Sequence, residues 1–430
     1  MNRRLGLLPV IAFLLALPVS ALAAGLPSAP PESLGFSPER LKRVDALMER
    51  YVSEKKMAGM TIAIARDGKV AYLRSAGMAD IAAKRPMRVD TIARYYSMTK
   101  PITAVAALVL VEEGKLRLDD ELAAYLPEFK DVKVYAGQNA DGSMKTEAPS
   151  KPIRVRDLFT HTSGFTYAGM ADQTPVGDAY EKADIMRPDR NLDEFSKVIA
   201  TLPLKVQPRT DYTYGVSTDV LGRVVEVVSG QAFDTFLKAR IFDPLGMTDT
   251  SFTVPEDKLA RFAEIYEMVP GGGIQPAKGD GARTRFKDGA RLHSGGGGLV
   301  STVGDYLRFC QMLLNDGELD GVRILSPKTV ELMTAPQLRP DQLAFLQSFM
   351  PGYNTGLGVA VLTDLGRSEL PGSVGEYNWA GAASTVFFID PKEKVIAILI
   401  TQLFPGLHYP VREDLKTVVY QALIEARNVD

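Results

Sequence analysis

Ser97-Met98-Thr99-Lys100-Pro101-Ile102-Thr103-Ala104 sets a hydroxyl and an amine three residues apart, at the head of an apolar run that extends to Val111. On a helix, residues three apart share a face, so the amine can reach the hydroxyl. Pro101 has no N–H and is harmless only in a first turn, so the helix cannot begin much before Ser97. That places the hydroxyl at the positive end of a helix, where a developing oxyanion is stabilised. A serine is a poor nucleophile until something takes its proton. A lysine stripped of water by an apolar helix is suited to that task. From Ile102 to Val111 the helix has no polar face, and such a helix belongs in the middle of a protein. Ser53-Glu54-Lys55-Lys56 repeats the spacing, but among charges at the end of a surface helix.

Outward from this stretch the chain reads as sheet, insert, sheet. Upstream, Ser37-Pro38 opens a helix whose Leu41, Val44, Leu47, Met48 and Tyr51 form one apolar face. Met60 to Ala65, the turn pair Asp67-Gly68 and Lys69 to Leu73 then spell an antiparallel hairpin. Residues 115–290 mix loops with a helical run from Thr218 to Val228, the pattern of a helix-and-loop insert. After Gly295 to Gly298 a helix covers Val303 to Leu314. Strands are expected at Leu357–Val361, Ser384–Ile389 and Val395–Ile400, the last two flanking Asp390 to Lys394 as a tight connection. A closing helix carries Val411, Leu415, Val418, Val419, Ala422, Leu423 and Ala426 on one side. The expected organisation is an α/β (α+β) domain of residues 24–114 and 291–430, an antiparallel sheet flanked by helices. A mostly helical lobe, 115–290, is inserted into it.

Composition removes several function classes. Lysines and arginines number 50 against 52 aspartates and glutamates, so no basic field draws nucleic acid. The three histidines, His161, His293 and His408, form no His-Glu-x-x-His pattern, and no metal site is expected. The P-loop and dinucleotide patterns are missing, so no cofactor is expected either. No Gly-x-Ser-x-Gly occurs, which removes the nucleophile-elbow hydrolases. Cys310 is the only cysteine; no intramolecular disulfide can form, and its apolar helical setting reads as a buried inert thiol. Arg3 and Arg4, the apolar stretch Leu5 to Leu17 and the exit Ala21-Leu22-Ala23 read as a signal peptide, residues 1–23. The mature chain is therefore expected in the periplasm or outside the cell, with no stable membrane insertion.

Four segments together resemble one superfamily: Ser97 to Ala104, Glu113 to Asp120, Val155 to Gly164 and Gly295 to Thr302. They are similar to the serine β-lactamase-related enzymes, which include class C β-lactamases and DD-peptidases, and most closely to the family VIII carboxylesterases. The resemblance implies a β-lactamase/transpeptidase-like fold. It places the family's Tyr-x-x element at Tyr214-Gly215-Val216, so that Tyr214 hydrogen-bonds near Ser97 and Lys100; Tyr212 is the nearby competitor. It places Trp379-Ala380-Gly381 where β-lactamases carry Lys-Thr-Gly, so Trp379 and Gly381 line the substrate pocket. By the same likeness the backbone N–H groups of Ser97 and Ala382 form the oxyanion hole. His161 and Ser163 belong to a signature whose role is structural, and His293 reads as a loop residue. Phe345, Leu346, Phe349 and Met350 are candidates for an apolar flap near Trp379.

Val216 stands where β-lactamases have an asparagine, and Trp379 where they have a lysine. Both departures weigh against β-lactams and against peptides ending in a carboxylate. The function implied is hydrolysis of short-chain carboxylic esters through an acyl-enzyme on Ser97, with Lys100 as base. A class C-like β-lactamase or DD-peptidase, an acyltransferase, and a non-catalytic binding protein of the same fold are the alternatives. The only partner implied is a small-molecule ester.

Overall fold

Asp67 and Gly68 both take left-handed backbone angles, φ 52° and 73°, as a two-residue type I′ turn demands. They join β1 (Gly59–Arg66) to β2 (Lys69–Asp80), whose antiparallel register runs from Gly59 opposite Gly77 to Arg66 opposite Lys69. The computed structural model describes residues 25–168, 172–279, 285–287, 289–406 and 408–427; the segment read as a signal peptide lies outside them.

This hairpin is one side of an eight-stranded sheet. With β3 (Arg85–Pro86), β4 (Tyr353–Thr355), β5 (Ala360–Leu362), β6 (Tyr377–Gly381), β7 (Thr385–Asp390) and β8 (Val395–Thr401), the order is β4-β5-β6-β7-β8-β1-β2-β3. Each neighbouring pair is antiparallel. β1 from the start of the chain pairs with β8 from its end, Met60 opposite Thr401 through Arg66 opposite Val395. Both ends of the sequence thus build the centre of one sheet.

Side chains alternate across the central strands because the strand period is two. Ile62, Ile64, Phe388, Ala397 and Leu399 face one layer, packed with α1 (Pro38–Ser53) and α5 (Val411–Tyr420). Ala63, Ala65, Phe387, Ile389, Ile396 and Ile398 face the other, where α4 (Val303–Leu314) packs on them; α2 (Thr99–Glu112) belongs to the same apolar core. With both faces covered, β1, β7 and β8 are buried along their whole length. α1 starts as its sequence requires: the Ser37 side chain accepts from Arg40 N, with Pro38 at the first helical position. α2 is buried from Thr99 to Leu110. It lies beside α3 (Ser217–Ser229), the longest helix among the described residues of 115–290. That region adds shorter helices and two small hairpins, none of which joins the main sheet. Cys310 is fully buried on α4, where loss of solvent pushes its thiol well above the usual range.

Three boundaries differ from the sequence expectation. The strand expected at Leu357–Val361 is β5, starting at Ala360, because Gly358 turns the chain at φ 87° against α2. A Cβ there would lie 2.5 Å from that of Ala104. Trp379 sits on a strand of its own, β6, opposite Phe387. The closing helix stops at Tyr420, short of Ala422, Leu423 and Ala426. The chain beyond it turns back on the lead-in, where Ser37 N donates to Ala422 O at 2.9 Å and Leu423 bridges Phe36. No helix among the described residues is long and apolar enough to cross a membrane.

Between α5 and the sheet lies a buried ion pair, Lys416 Nζ to Glu376 at 2.9 Å. Tyr353 OH and Tyr420 OH also donate to Glu376, and Tyr420 reaches Asp390 as well. Burial pushes the Glu376 carboxyl up and Lys416 pulls it back down. Removing one partner of such a pair strands the other in a dry site. Lys416→Met is expected to cost about 3–5 kcal/mol in chemical unfolding. Adding Glu376→Gln should recover a substantial part; a single variant as stable as wild type contradicts this.

Candidate active site

Tyr96 to Met98 form one 3-10 turn that leads directly into α2. The chain enters it through Tyr96, whose φ of 43° is rare for a bulky residue; its ring is held between Phe286 and Phe404. Ser97 is thereby left partly exposed, while Lys100 one turn later is buried at 1% exposure.

Three groups meet at the serine. Lys100 Nζ lies 3.2 Å from Ser97 Oγ, and Tyr214 OH donates to the same oxygen at 2.7 Å. Lys100 Nζ also sits 4.7 Å from the centroid of the Tyr214 ring. Tyr212, two residues earlier, points elsewhere: its hydroxyl is buried with no hydrogen-bond partner among the described residues. The amine donates further to Gly296 O at 2.7 Å and to Tyr167 OH at 3.1 Å. No carboxylate pairs with it among the described residues.

Tyr167 and Asp219 were not legible as site residues in the sequence. The Tyr167 hydroxyl lies 3.4 Å from Asp219 Oδ2. Burial first, then the Asp219 charge, pushes this phenol well above its usual range, so it stays protonated. Asp219 is fully buried on α3 and also accepts from Ser294 Oγ and from Gly296 N. It thus fixes the loop that carries the carbonyl gripping Lys100. Gly295 and Gly296 leave the room this contact needs. A Cβ on Gly296 would come within 2.2 Å of Asp219 Oδ2, and one on Gly295 within 2.6 Å of Thr218 O. The available signal was position: Tyr167 lies just past the Val155–Gly164 segment, and Asp219 on the first turn of α3.

Trp379 lies beside the serine's phenol, and Gly381 packs behind the turn that carries Ser97. The Trp379 ring lies 6.0 Å from that of Tyr214, and a Cβ on Gly381 would strike Tyr95 O at 2.2 Å. β6 therefore packs against the turn that carries Ser97. Ala382 follows at the strand end. Neither the Ser97 nor the Ala382 N–H has an acceptor among the described residues, and its carbonyl accepts from Gly406 N at 2.6 Å.

His161 lies behind Tyr214, ring centroids 4.8 Å apart, and parallel to Trp379 at 6.4 Å. Its backbone is left-handed, φ 55°. Burial, with Lys100 adding to it, holds the imidazole well below the usual histidine range, hence neutral. Both ring nitrogens lack partners among the described residues, so it meets Tyr214 as a packing surface. Ser163 bonds Ser217 on α3 at 2.8 Å. His293 stacks on Phe252. Phe345 and Phe349 are exposed at 51% and 54%, and Phe345 stacks on Tyr212. No ring contact joins either to Trp379 among the described residues. No group of three or more His, Cys, Asp or Glu is placed to share a metal ion among them either.

A hydroxyl, a buried amine and a phenol within mutual reach, beside two free amides, can pass a proton and hold an oxyanion. Protein Rv1367c of Mycobacterium tuberculosis is 36% identical over 358 residues, 82% of this chain and 87% of that protein. Esterase EstB of Burkholderia gladioli is 32% identical over 400 residues, 88% of this chain and 94% of EstB. Among solved structures, EstCE1, described as a hydrolase with promiscuous acyltransferase activity, superposes with a TM-score of 0.77 at 27% identity. That match covers 89% of this chain and 99% of EstCE1. The fold is the β-lactamase/transpeptidase-like fold. From residue 44 to residue 420 the chain matches the family model described as Beta-lactamase, and it belongs to that family.

Proposed function

We propose that the protein is a serine esterase of the family VIII type, hydrolysing short-chain carboxylic esters through an acyl-enzyme on Ser97. The observation that carries this is the convergence of Lys100 Nζ, at 3.2 Å, and Tyr214 OH, at 2.7 Å, on one serine oxygen.

To act as the base Lys100 must be the neutral amine, whose two N–H groups Gly296 O and Tyr167 O then accept. Its lone pair is then left for the Ser97 proton. As Ser97 Oγ attacks the acyl carbon, its proton passes to Lys100 and the carbonyl oxygen becomes an oxyanion held by the Ser97 and Ala382 amides. The tetrahedral carbon collapses, the C–O bond to the alcohol breaks, and the proton leaves with that alcohol by way of Tyr214. Water then bonds to the acyl carbon as its proton passes along the same route; the bond from that carbon to Ser97 Oγ breaks, the proton returns to Oγ, and the acid is released. Trp379 and Val216 favour esters over β-lactams, since neither offers a cation or an amide to grip a carboxylate or a β-lactam side chain. The name of EstB supports the ester reading. The description of EstCE1 supports a second one, in which an alcohol replaces water and a new ester forms. We place the mature enzyme outside the cytoplasm, on the leader read in residues 1–23.

Three outcomes follow. With p-nitrophenyl butyrate, Ser97→Ala and Lys100→Ala should each lower kcat by roughly 10⁴-fold or more, and the double variant by little more than either alone. Tyr214→Phe should lower kcat by about 10²–10⁴-fold, whereas Tyr212→Phe should stay within about threefold; a reversed ranking makes Tyr212 the working phenol. Expression with the native leader in a bacterial host, followed by N-terminal sequencing, should read Ala24 first, and an intact leader contradicts export with cleavage.

A further inference from the structure

The peptide linking Gly381 to Ala382 is gripped by a cation from the side away from its free N–H. Arg412, on the first turn of α5, donates from Nη2 to Gly381 O at 2.6 Å. No carboxylate forms an ion pair with this guanidinium among the described residues, and burial pulls its pKa below the ordinary guanidinium range. An unpaired, partly buried cation is costly to keep, which calls for a reason at this position.

The reason lies in peptide geometry. A trans peptide is planar, and its C=O and N–H point in opposite directions. Fixing Gly381 O therefore fixes the direction of the Ala382 N–H, which has no acceptor of its own among the described residues. The next peptide is fixed as well, because Ala382 O accepts from Gly406 N at 2.6 Å. Gly406 is packed into the same corner: a Cβ there would sit 3.2 Å from both Ala382 O and Arg412 Nη2. A positive charge on the carbonyl also polarises the amide and strengthens its N–H as a donor.

We infer that Arg412 is a positioning residue for the oxyanion hole, orienting and polarising the Gly381–Ala382 peptide so that the Ala382 N–H is aimed in advance at the tetrahedral intermediate. This inference rests on the esterase reading of Ser97. Donors preset toward developing charge act on the transition state more than on the neutral substrate. The effect of losing Arg412 therefore falls on kcat and spares KM.

The test compares wild type, Arg412→Gln and Arg412→Lys in three measurements: kcat and KM on p-nitrophenyl butyrate, the dissociation constant of 2-phenylethylboronic acid, and thermal stability. Boronic acids bind a serine nucleophile as a tetrahedral adduct, so their affinity reports the hole directly. Arg412→Gln should lower kcat by about 10–100-fold, hold KM within about threefold, and weaken the boronic acid by the same factor as kcat. Arg412→Lys should recover part of both losses. A kcat for Arg412→Gln within threefold of wild type overturns the inference, as does a loss carried by KM with boronic acid affinity unchanged. Ser97→Ala separates the two readings. If it is inert while Arg412→Gln is normal, only the role of Arg412 falls; if it turns over ester as wild type does, the esterase reading falls and the oxyanion hole with it.

Discussion

A lysine side chain at 1% exposure, with no carboxylate paired to it among the described residues, is the constraint around which this structure is arranged. Such a group must find neutral hydrogen-bond partners or the helix that carries it cannot be buried. Its three partners come from three distant parts of the chain: Ser97 one turn back, Tyr167 from the loop after the Val155–Gly164 segment, and Gly296 from the glycine run. Asp219 on α3 ties the last two together. The glycines follow from this, since Gly295 and Gly296 lie where a side chain would collide with α3.

The same constraint couples site to sheet. α4 packs directly on β1, β7 and β8, which both ends of the chain supply, and Gly381 at the end of β6 is pressed against Tyr95 O, just ahead of the turn that leads into α2. The strand that presents Trp379 and Ala382 is thus registered against the turn that presents Ser97. One fold hosts many chemistries by varying such edges. Here β6 carries an indole close to Tyr214 and His161, where the family likeness in the sequence implies a cation in β-lactamases. On the proposed reading the residues that acylate Ser97 can stay constant while that neighbour decides which acyl donor is accepted.

Much of this was legible locally. The Asp67-Gly68 turn, the apolar α2 and the Ser-x-x-Lys spacing are short-range patterns, where backbone sterics and helix geometry act within a few residues. Tyr214 emerged from family likeness, and its choice over Tyr212 rested on no physical argument until the two hydroxyls could be located. What stayed hidden is long-range. Tyr167 meets Lys100 across 67 residues, and Arg412 meets Gly381 across 31; neither separation follows a period. The early end of the last helix was hidden for a related reason. Ala422 and Leu423 continue its apolar spacing, yet the chain leaves the helix to pair with the lead-in.

The central claim is that Lys100 makes Ser97 the reactive hydroxyl of the chain. Time-resolved labelling with an alkyl fluorophosphonate, read by intact mass and peptide mapping, tests it without reference to any natural substrate. The account predicts a single adduct on Ser97, formed roughly 10³-fold more slowly in a folded Lys100→Ala protein. An adduct on another residue, or an unchanged rate without the amine, would contradict it.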